Sequence, residues 1–341
     1  MESVDYKKPR TKFSFDLILT VAFVCFIIVL SAVYVFLALD EGFDRERWKV
    51  VSEILRNLGL GLAGLYAATF GLMLAWRRTS ATVDQNYTEL YTKAIEHLGE
   101  SENQSVNLGG IYALERIAQK SFTDHGPIIE VLTAYARENS PASMNASIEQ
   151  SGIDTLNYSD FKSATQEVKA IAAVLRRRNV DHIKYEDAID LTTVNLTSVN
   201  LNGAILADSN FSGSSLCFAH LERVDFSFSN LGRVIFGFCR IVDSNYSNAS
   251  ILGAQFFDSA IINTSFRDAK LNGCGFSLVK FDNVDFSNAD LSNVNFREAQ
   301  LRRCNFSGCK NLKLSQVSRA IVYSTCIFPS EFDMNSIPIF D

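Results

Sequence analysis

Residues 288–306 read NADLSNVNFREAQLRRCNF, and within this stretch Leu291, Phe296, Leu301 and Phe306 fall five residues apart. A helix returns apolar residues at three and four, and a strand lying on a core at two, so neither explains the spacing. Carried in both directions, the frame holds for 24 successive positions from Leu191 to Phe306, all apolar or aromatic, with Tyr246 the only member carrying a polar tip. A second series runs two residues ahead, from Ile189, Val194 and Val199 to Ala299 and Cys304, and after Ile189 it contains only Ala, Val, Ser, Cys and Thr. The other three places in each unit are mostly Asn, Asp, Ser, Gly, Arg and Thr. A unit that turns one large and one small side chain inward every five residues buries nothing alone and must stack on copies of itself. The residues therefore require a solenoid.

The segments ADLSN (289–293), VNFRE (294–298), VDFSN (284–288) and AKLNG (269–273) resemble the A(D/N)LXX motif of the pentapeptide-repeat family. That resemblance implies a mainly β fold, a right-handed four-sided β-helix with four pentapeptides per coil and hence six coils. With coils about 4.8 Å apart, the shaft is about 29 Å long. The sequence carries its own test of four sides, because positions twenty apart then share a face. Phe236, Phe256, Phe276 and Phe296 form one such ladder, and Phe226, Tyr246, Phe266, Phe286 and Phe306 the opposite one, with aliphatic faces between. A coil of fifteen would mix the two kinds.

The chain has 341 residues and only five prolines, room for two or three domains. Leu17–Leu39 and Leu58–Trp76 are uncharged runs of 23 and 19 residues. As helices they extend about 35 and 29 Å against a hydrocarbon core of about 30 Å, so both are expected to cross a bilayer. A signal peptide fits the first run less well, since its apolar core is long and no small-residue cleavage site follows. Lys7, Lys8, Arg10, Lys12, Arg77 and Arg78 flank the pair, against Arg45, Arg47, Lys49 and Arg56 between the runs. This bias predicts two spans in a bacterial inner membrane with both termini cytoplasmic. Within the second run Gly59, Ala63, Ala67, Gly71 and Ala75 recur every four residues as a stripe that admits close helix packing, either within the hairpin or in a homo-oligomer.

Residues 79–188 show helical spacing, with Ile111, Leu114, Ile117 and Ala118 on one face, Ile128, Ile129, Leu132, Tyr135 and Ala136 on another, and Val168, Ile171, Ala172 and Leu175 on a third. Pro127 is expected in the first turn of the middle helix, and 142–161, rich in Ser and Asn, reads as a loop. RNLGLGLAGLYA (56–67), AWRR (75–78), VNLGGIYALERIA (106–118) and IIEVLTAYAREN (128–139) resemble a bacterial group of membrane pentapeptide-repeat proteins with two spans and a helical segment before the solenoid. The expected organisation is a two-helix transmembrane hairpin in 1–78 (spans 17–39 and 58–76), a small cytosolic α-helical domain in 79–188, the β-helix in 189–311, and a cap and tail in 312–341. GCKNLKLSQVSRA (308–320) resembles that group's exit from the solenoid. There Asn311 breaks the frame, and a short helix from Leu314 to Ala320 is expected to cover the last coil.

Chemistry is sparse. His97, His125, His182 and His220 are scattered and read as solvated, and no H-E-x-x-H or C-x-x-C pair builds a metal site. Cys239, Cys274 and Cys304 occupy the small inward place and read as unpaired interior thiols suited to a reducing cytosol. No nucleophile and base, carboxylate pair or metal cluster is visible, so the sequence predicts no enzyme and no cofactor. The family's acidic members mimic DNA toward a type II topoisomerase. Here ten acidic and ten basic residues between Leu191 and Lys310 leave no net field for such mimicry, and no nucleic-acid partner is expected. Two readings remain: a membrane-anchored, non-enzymatic scaffold for an unknown protein partner, and a membrane effector, possibly in antiphage defence, that oligomerises through its spans. The scaffold reading has the more specific residues. Phe218, Phe238, Phe257, Val242 and Ile262 are apolar at outward places where the motif asks for polar turn residues, and they form the candidate partner surface.

Overall fold

The computed structural model describes residues 12–39, 45–100, 103–142, 161–333 and 339–341. The chain divides into two compact units, Met1–Asn86 and Tyr87–Asp341. The division falls inside a helix.

The first unit contains α1 (Lys12–Leu39) and most of α2 (Arg45–Leu98). Phe23 stacks on Tyr66 with ring centroids 3.9 Å apart, and Tyr34 meets Trp48 at 5.2 Å. Along α2 the half-buried positions are Leu55, Gly59, Leu62, Tyr66, Phe70 and Met73, spaced at three and four as for a helix with one partnered side. Ala63, Ala67, Gly71 and Ala75 lie off that side and are exposed. The expected pair of spans is not supported. Among the described residues one helix, Trp48–Leu98, is long and apolar enough to cross a membrane.

The second unit joins a helical cap to the solenoid through one continuous core. The cap is built from the end of α2, α3 (Gln104–Lys120), α4 (Phe122–Asn139), α5 (Gln166–Arg177) and a 3-10 turn at Val180–Tyr185. The apolar faces read from the sequence are buried, with Ile111, Leu114, Ile128 and Leu132 fully excluded from solvent. Gly110 is required here because a Cβ would lie 2.7 Å from the Ala94 carbonyl oxygen. α4 starts earlier than Pro127 suggests: Ser121 caps it by accepting a hydrogen bond from Asp124 N, which leaves Pro127 in the second turn. Residues 143–160, most of the expected 142–161 loop, lie outside the described residues.

Two histidines depart from the solvated reading. His125 is buried, its Nδ1 3.0 Å from the Ala118 carbonyl and its Nε2 2.5 Å from Glu186 Oε1. Arg178 Nε lies 3.1 Å from the same carboxylate oxygen, and His182 packs edge-on against His125 at 5.1 Å. Arg178 also donates to the Leu175 and Ile205 carbonyls, so this buried cluster ties the cap to the first coil.

In the solenoid, parallel bridges pair residues twenty apart, as in Asp190 with Asn210 and Asn210 with Asn230, so each coil is four pentapeptides. One face is regular enough to form short strands: β1 (His220–Glu222), β2 (Arg240–Val242), β3 (Ala260–Ile262), β4 (Lys280–Asp282) and β5 (Gln300–Arg302), all parallel. All 24 frame positions are buried. The aromatic ladders stack as expected, with centroids 4.6 Å apart for Phe236 and Phe256 and 5.3 Å for Phe266 and Phe286, while rings facing each other across the core meet edge to face. Both arrangements suit the ring quadrupole.

The small inward series is explained by hydrogen bonding as well as size. Ser244 and Ser229 hydroxyls donate to the Leu221 and Leu206 carbonyls in the coil before, and Cys239 Sγ does the same to Leu216 O. A larger side chain would neither fit nor satisfy those carbonyls. Asn and Asp at the strand-like places accept from the amide two residues on, as Asp225 does from Ser227 N at 3.0 Å, which closes each turn.

Both ends of the stack are covered. At the start, Ala142 N donates to Thr193 O, Asn195 N to Ser140 O and Ala164 N to Thr197 O. At the exit, Asn311 takes a left-handed conformation and donates to Asp290 Oδ1. The short helix α6 (Leu314–Val317) then places Gln316 Nε2 on the Leu291 and Val294 carbonyls. Strands β6 (Ile321–Tyr323) and β7 (Ile339–Phe340) extend the sheet, and Phe328 and Phe332 continue an aromatic ladder from Phe306. Covered ends remove backbone edges open to pairing.

Candidate interaction surface

A solenoid of this kind offers faces and corners, and the residues at each are set by the five-residue frame. Two places after every inward residue the chain turns with positive φ, for which Asn, Asp and Gly are best suited because a bulky side chain there meets its own backbone. Four large apolar residues break that rule: Phe218 (φ 57°), Phe228 (φ 60°), Phe238 (φ 58°) and Leu278 (φ 64°). Each carries a conformational cost of about 1–2 kcal/mol that the motif does not require.

Phe218, Phe238 and Leu278 share one corner, beside the strand face, with Asp258 between the last two. Phe218 and Phe238 stack at 4.8 Å, and Phe161, from the segment that leads into α5, sets its ring edge-on against both at 5.8 and 5.7 Å. Phe257 lies beneath them and is buried with Cys217 and Ile235. Gly237 makes room for it, since a Cβ at 237 would fall 2.3 Å from the Phe257 ring. The three phenylalanines of the candidate surface are thus gathered under a fourth from the same chain.

Val242 and Ile262 stand side by side on β2 and β3, half-buried, with Ala260 adjoining them. Arg240 and Lys280 border them, and Arg240 pairs with Glu222 while Arg303 forms a bidentate pair with Asp282 at 2.8 and 2.7 Å. The face is flat, apolar in the middle and lined by charges of both signs. Leu278 stands exposed at its corner, whereas Phe228 is exposed on a different corner altogether. Neither of those two was singled out by periodicity, although both are visible as departures from the motif. Phe161 had no such signal, being a single aromatic at the end of a polar stretch.

Gly59, Ala63, Ala67, Gly71 and Ala75 lie in the other unit, on α2. Among the described residues Gly71 has no atom within 4 Å of an added Cβ. Among the described residues no group of three His, Cys, Asp or Glu side chains is placed to hold a metal.

Residues 189–213, 195–237 and 276–308 match the family model for pentapeptide repeats, in eight copies. Among solved structures the chain is similar to HetL, a pentapeptide repeat protein involved in heterocyst differentiation regulation from the cyanobacterium Nostoc sp. strain PCC 7120. The identity is 19% over 41% of this chain and 60% of that one, with a TM-score of 0.21, so the chain spans about three fifths of HetL. It is also similar to trypsin-treated QnrB1, a plasmid-mediated fluoroquinolone resistance protein, at 16% identity over 45% of this chain and 80% of that one, with a TM-score of 0.27. A third is Rfr23 from the cyanobacterium Cyanothece 51142, at 19% identity over 40% and 65%, with a TM-score of 0.14. No curated protein matches.

The matched segments all lie in the repeats, and none extends into α1 or α2. Among the described residues one helix rather than two meets the requirements for a span, and the expected membrane part is not supported. This covers the resemblance to a membrane-anchored group, the bilayer as partner, the two-span inner-membrane location with cytoplasmic termini, and the effector that oligomerises through its spans.

Proposed function

We propose that the solenoid is a rigid, non-catalytic scaffold that binds a protein partner along the β1–β5 face. The observation that carries this is the pair Val242 and Ile262, aliphatic on a flat face where the repeat needs no apolar side chain, with Leu278 exposed in a strained conformation at its edge. A strained residue that adds nothing to its own fold is a mark of function. The face needs little rearrangement to bind, because its backbone is held by ladders on both sides, and a pre-ordered surface loses little entropy on association.

Phe218, Phe238 and Phe257 support the same face from below: the Phe161 cluster stiffens the corner where Leu278 stands. Their role is to shape the surface, and its contact residues are Val242, Ile262 and Leu278.

The test is affinity capture with the purified chain from extracts of its own cells, comparing wild type with Val242→Ser/Ile262→Ser and with Phe228→Ser as a control on another corner. The scaffold reading expects a protein retained by wild type and by Phe228→Ser and lost from the double variant at unchanged melting temperature. Equal capture by all three would place the contact elsewhere.

A further inference from the structure

The cap holds a cavity of about 610 Å³ between the end of α2, α3, α4 and the first turn of α5. Ile95, Leu98, Val131 and Ala134 give it an apolar lining, and Glu100, Glu138 and Glu167 bring three carboxylates to it; among the described residues no lysine, arginine or histidine lines it.

Glu167 is the informative member. The residue is nine-tenths buried, and among the described residues the one hydrogen bond to its side chain is from Gln104 Nε2 at 3.4 Å and no cation pairs with it. Its place in the first turn of α5 offsets part of the charge, yet a helix terminus alone does not replace the water lost by a buried carboxylate. Asn107, also lining the cavity and nine-tenths buried, donates from Nδ2 to Tyr135 Oη at 3.2 Å while its Oδ1 has no partner. Burial raises the Tyr135 phenol above its ordinary pKa, the Asn107 bond opposes this, and the Glu167 charge adds to it, so the phenol stays protonated. A buried carboxylate and a buried amide oxygen therefore lack the same thing, a positively charged hydrogen-bond donor.

We propose that this cavity binds an alkylammonium group, with the ammonium held by Glu167 and Asn107 Oδ1 and attracted by the charges of the rim carboxylates Glu138 and Glu100, and the methylene stem lying on Ile95, Leu98, Val131 and Ala134. An ammonium has three donors and no acceptor, which suits the Glu167 carboxylate and the unpartnered Asn107 Oδ1. A divalent metal ion fits less well: it needs converging oxygens at about 2.0–2.6 Å and no apolar wall, and the acids here are not grouped closely enough to hold one. The group is either the end of a free polyamine or a lysine side chain of a protein. The site stands in the cap and is independent of the scaffold reading.

Isothermal titration of the full chain with spermidine, with Nα-acetyl-lysine methylamide and with magnesium chloride tests this. One ammonium probe is expected to bind at a single site; tighter spermidine binding identifies a free polyamine, and tighter lysine-amide binding identifies a protein side chain. Glu167→Gln is expected to weaken binding about tenfold, the loss of one charged hydrogen-bonding partner. Glu138→Gln, at the exposed rim, is expected to weaken it less at unchanged melting temperature. Ala134→Leu, which fills the cavity without altering a charge, is expected to abolish binding and keeps the test valid if Glu167→Gln fails to fold. Absence of binding by both ammonium probes, displacement by magnesium alone, or wild-type affinity in the Glu138→Gln and Ala134→Leu variants would overturn the proposal.

Discussion

Phe228 stands 61% exposed at φ 60°, a place where the repeat is content with Asn or Gly. Replacing it with Gly is expected to raise stability by about 1 kcal/mol, since the left-handed strain disappears and little burial is lost. The same change at Phe238, at φ 58°, is expected to lower stability, because the ring packs against Phe161, Phe218 and Phe257. Chemical denaturation of the two variants separates strain that is compensated from strain that is not. Tyr246 is a second residue-scale case: its ring belongs to the ladder, but its hydroxyl is buried without a partner. Tyr246→Phe is expected to stabilise by about 1 kcal/mol, and a loss instead would show that the hydroxyl is satisfied in solution.

The thiols divide in the same way. Burial raises Cys217 and Cys274 to about 12 and Cys309 to about 11, whereas a hydrogen bond with the Cys304 thiol lowers Cys326 to about 7. Among the cysteines of the solenoid and its exit, Cys326 is therefore expected to react first with iodoacetamide near neutral pH, as read by peptide mass spectrometry. The sequence showed Cys304 as an unpaired core filler. Its neighbour was hidden because the exit shifts the frame twice: Leu301 pairs with Val322 at a spacing of 21, and Asn305 bridges Ile327 at 22, which brings Cys326 onto Cys304.

At the scale of elements the ladders were legible and the cap's fastening was not. A repeating frame records which residues share a face, so Phe266 could be placed between Tyr246 and Phe286 before any coordinate was known. Phe266→Ala is expected to cost roughly 3–5 kcal/mol, as for a buried ring that leaves a cavity, measured by denaturant titration. The cluster of His125, Arg178 and Glu186 obeys no frame: its members come from α4, the end of α5 and the residue after the 3-10 turn. Such long-range pairing leaves no periodic trace, and a scattered histidine looks solvated until its neighbours are known. Glu186→Gln is expected to destabilise the cap by roughly 3–5 kcal/mol, because it leaves Arg178 buried without its counter-charge.

For the whole molecule, the limits of the sequence reading follow from what each pattern measures. Hydropathy of Leu17–Leu39 and Leu58–Trp76 reports apolar length, and apolar length alone does not establish a membrane span. The five-residue frame reports burial, and it correctly required the solenoid between Leu191 and Phe306. What it leaves open is the outside, where Phe161 folds over Phe218 and Phe238 and leaves the β1–β5 face as the apolar surface. The most direct measurement is site-specific photo-crosslinking in the protein's own cells, with benzoylphenylalanine at Ala260 in the middle of that face and at Ser292 on the opposite one. A scaffold that binds through β1–β5 predicts a discrete protein adduct from position 260 and none from 292. Adducts from 292 alone, or none from 260 when the chain is folded and expressed, would contradict it.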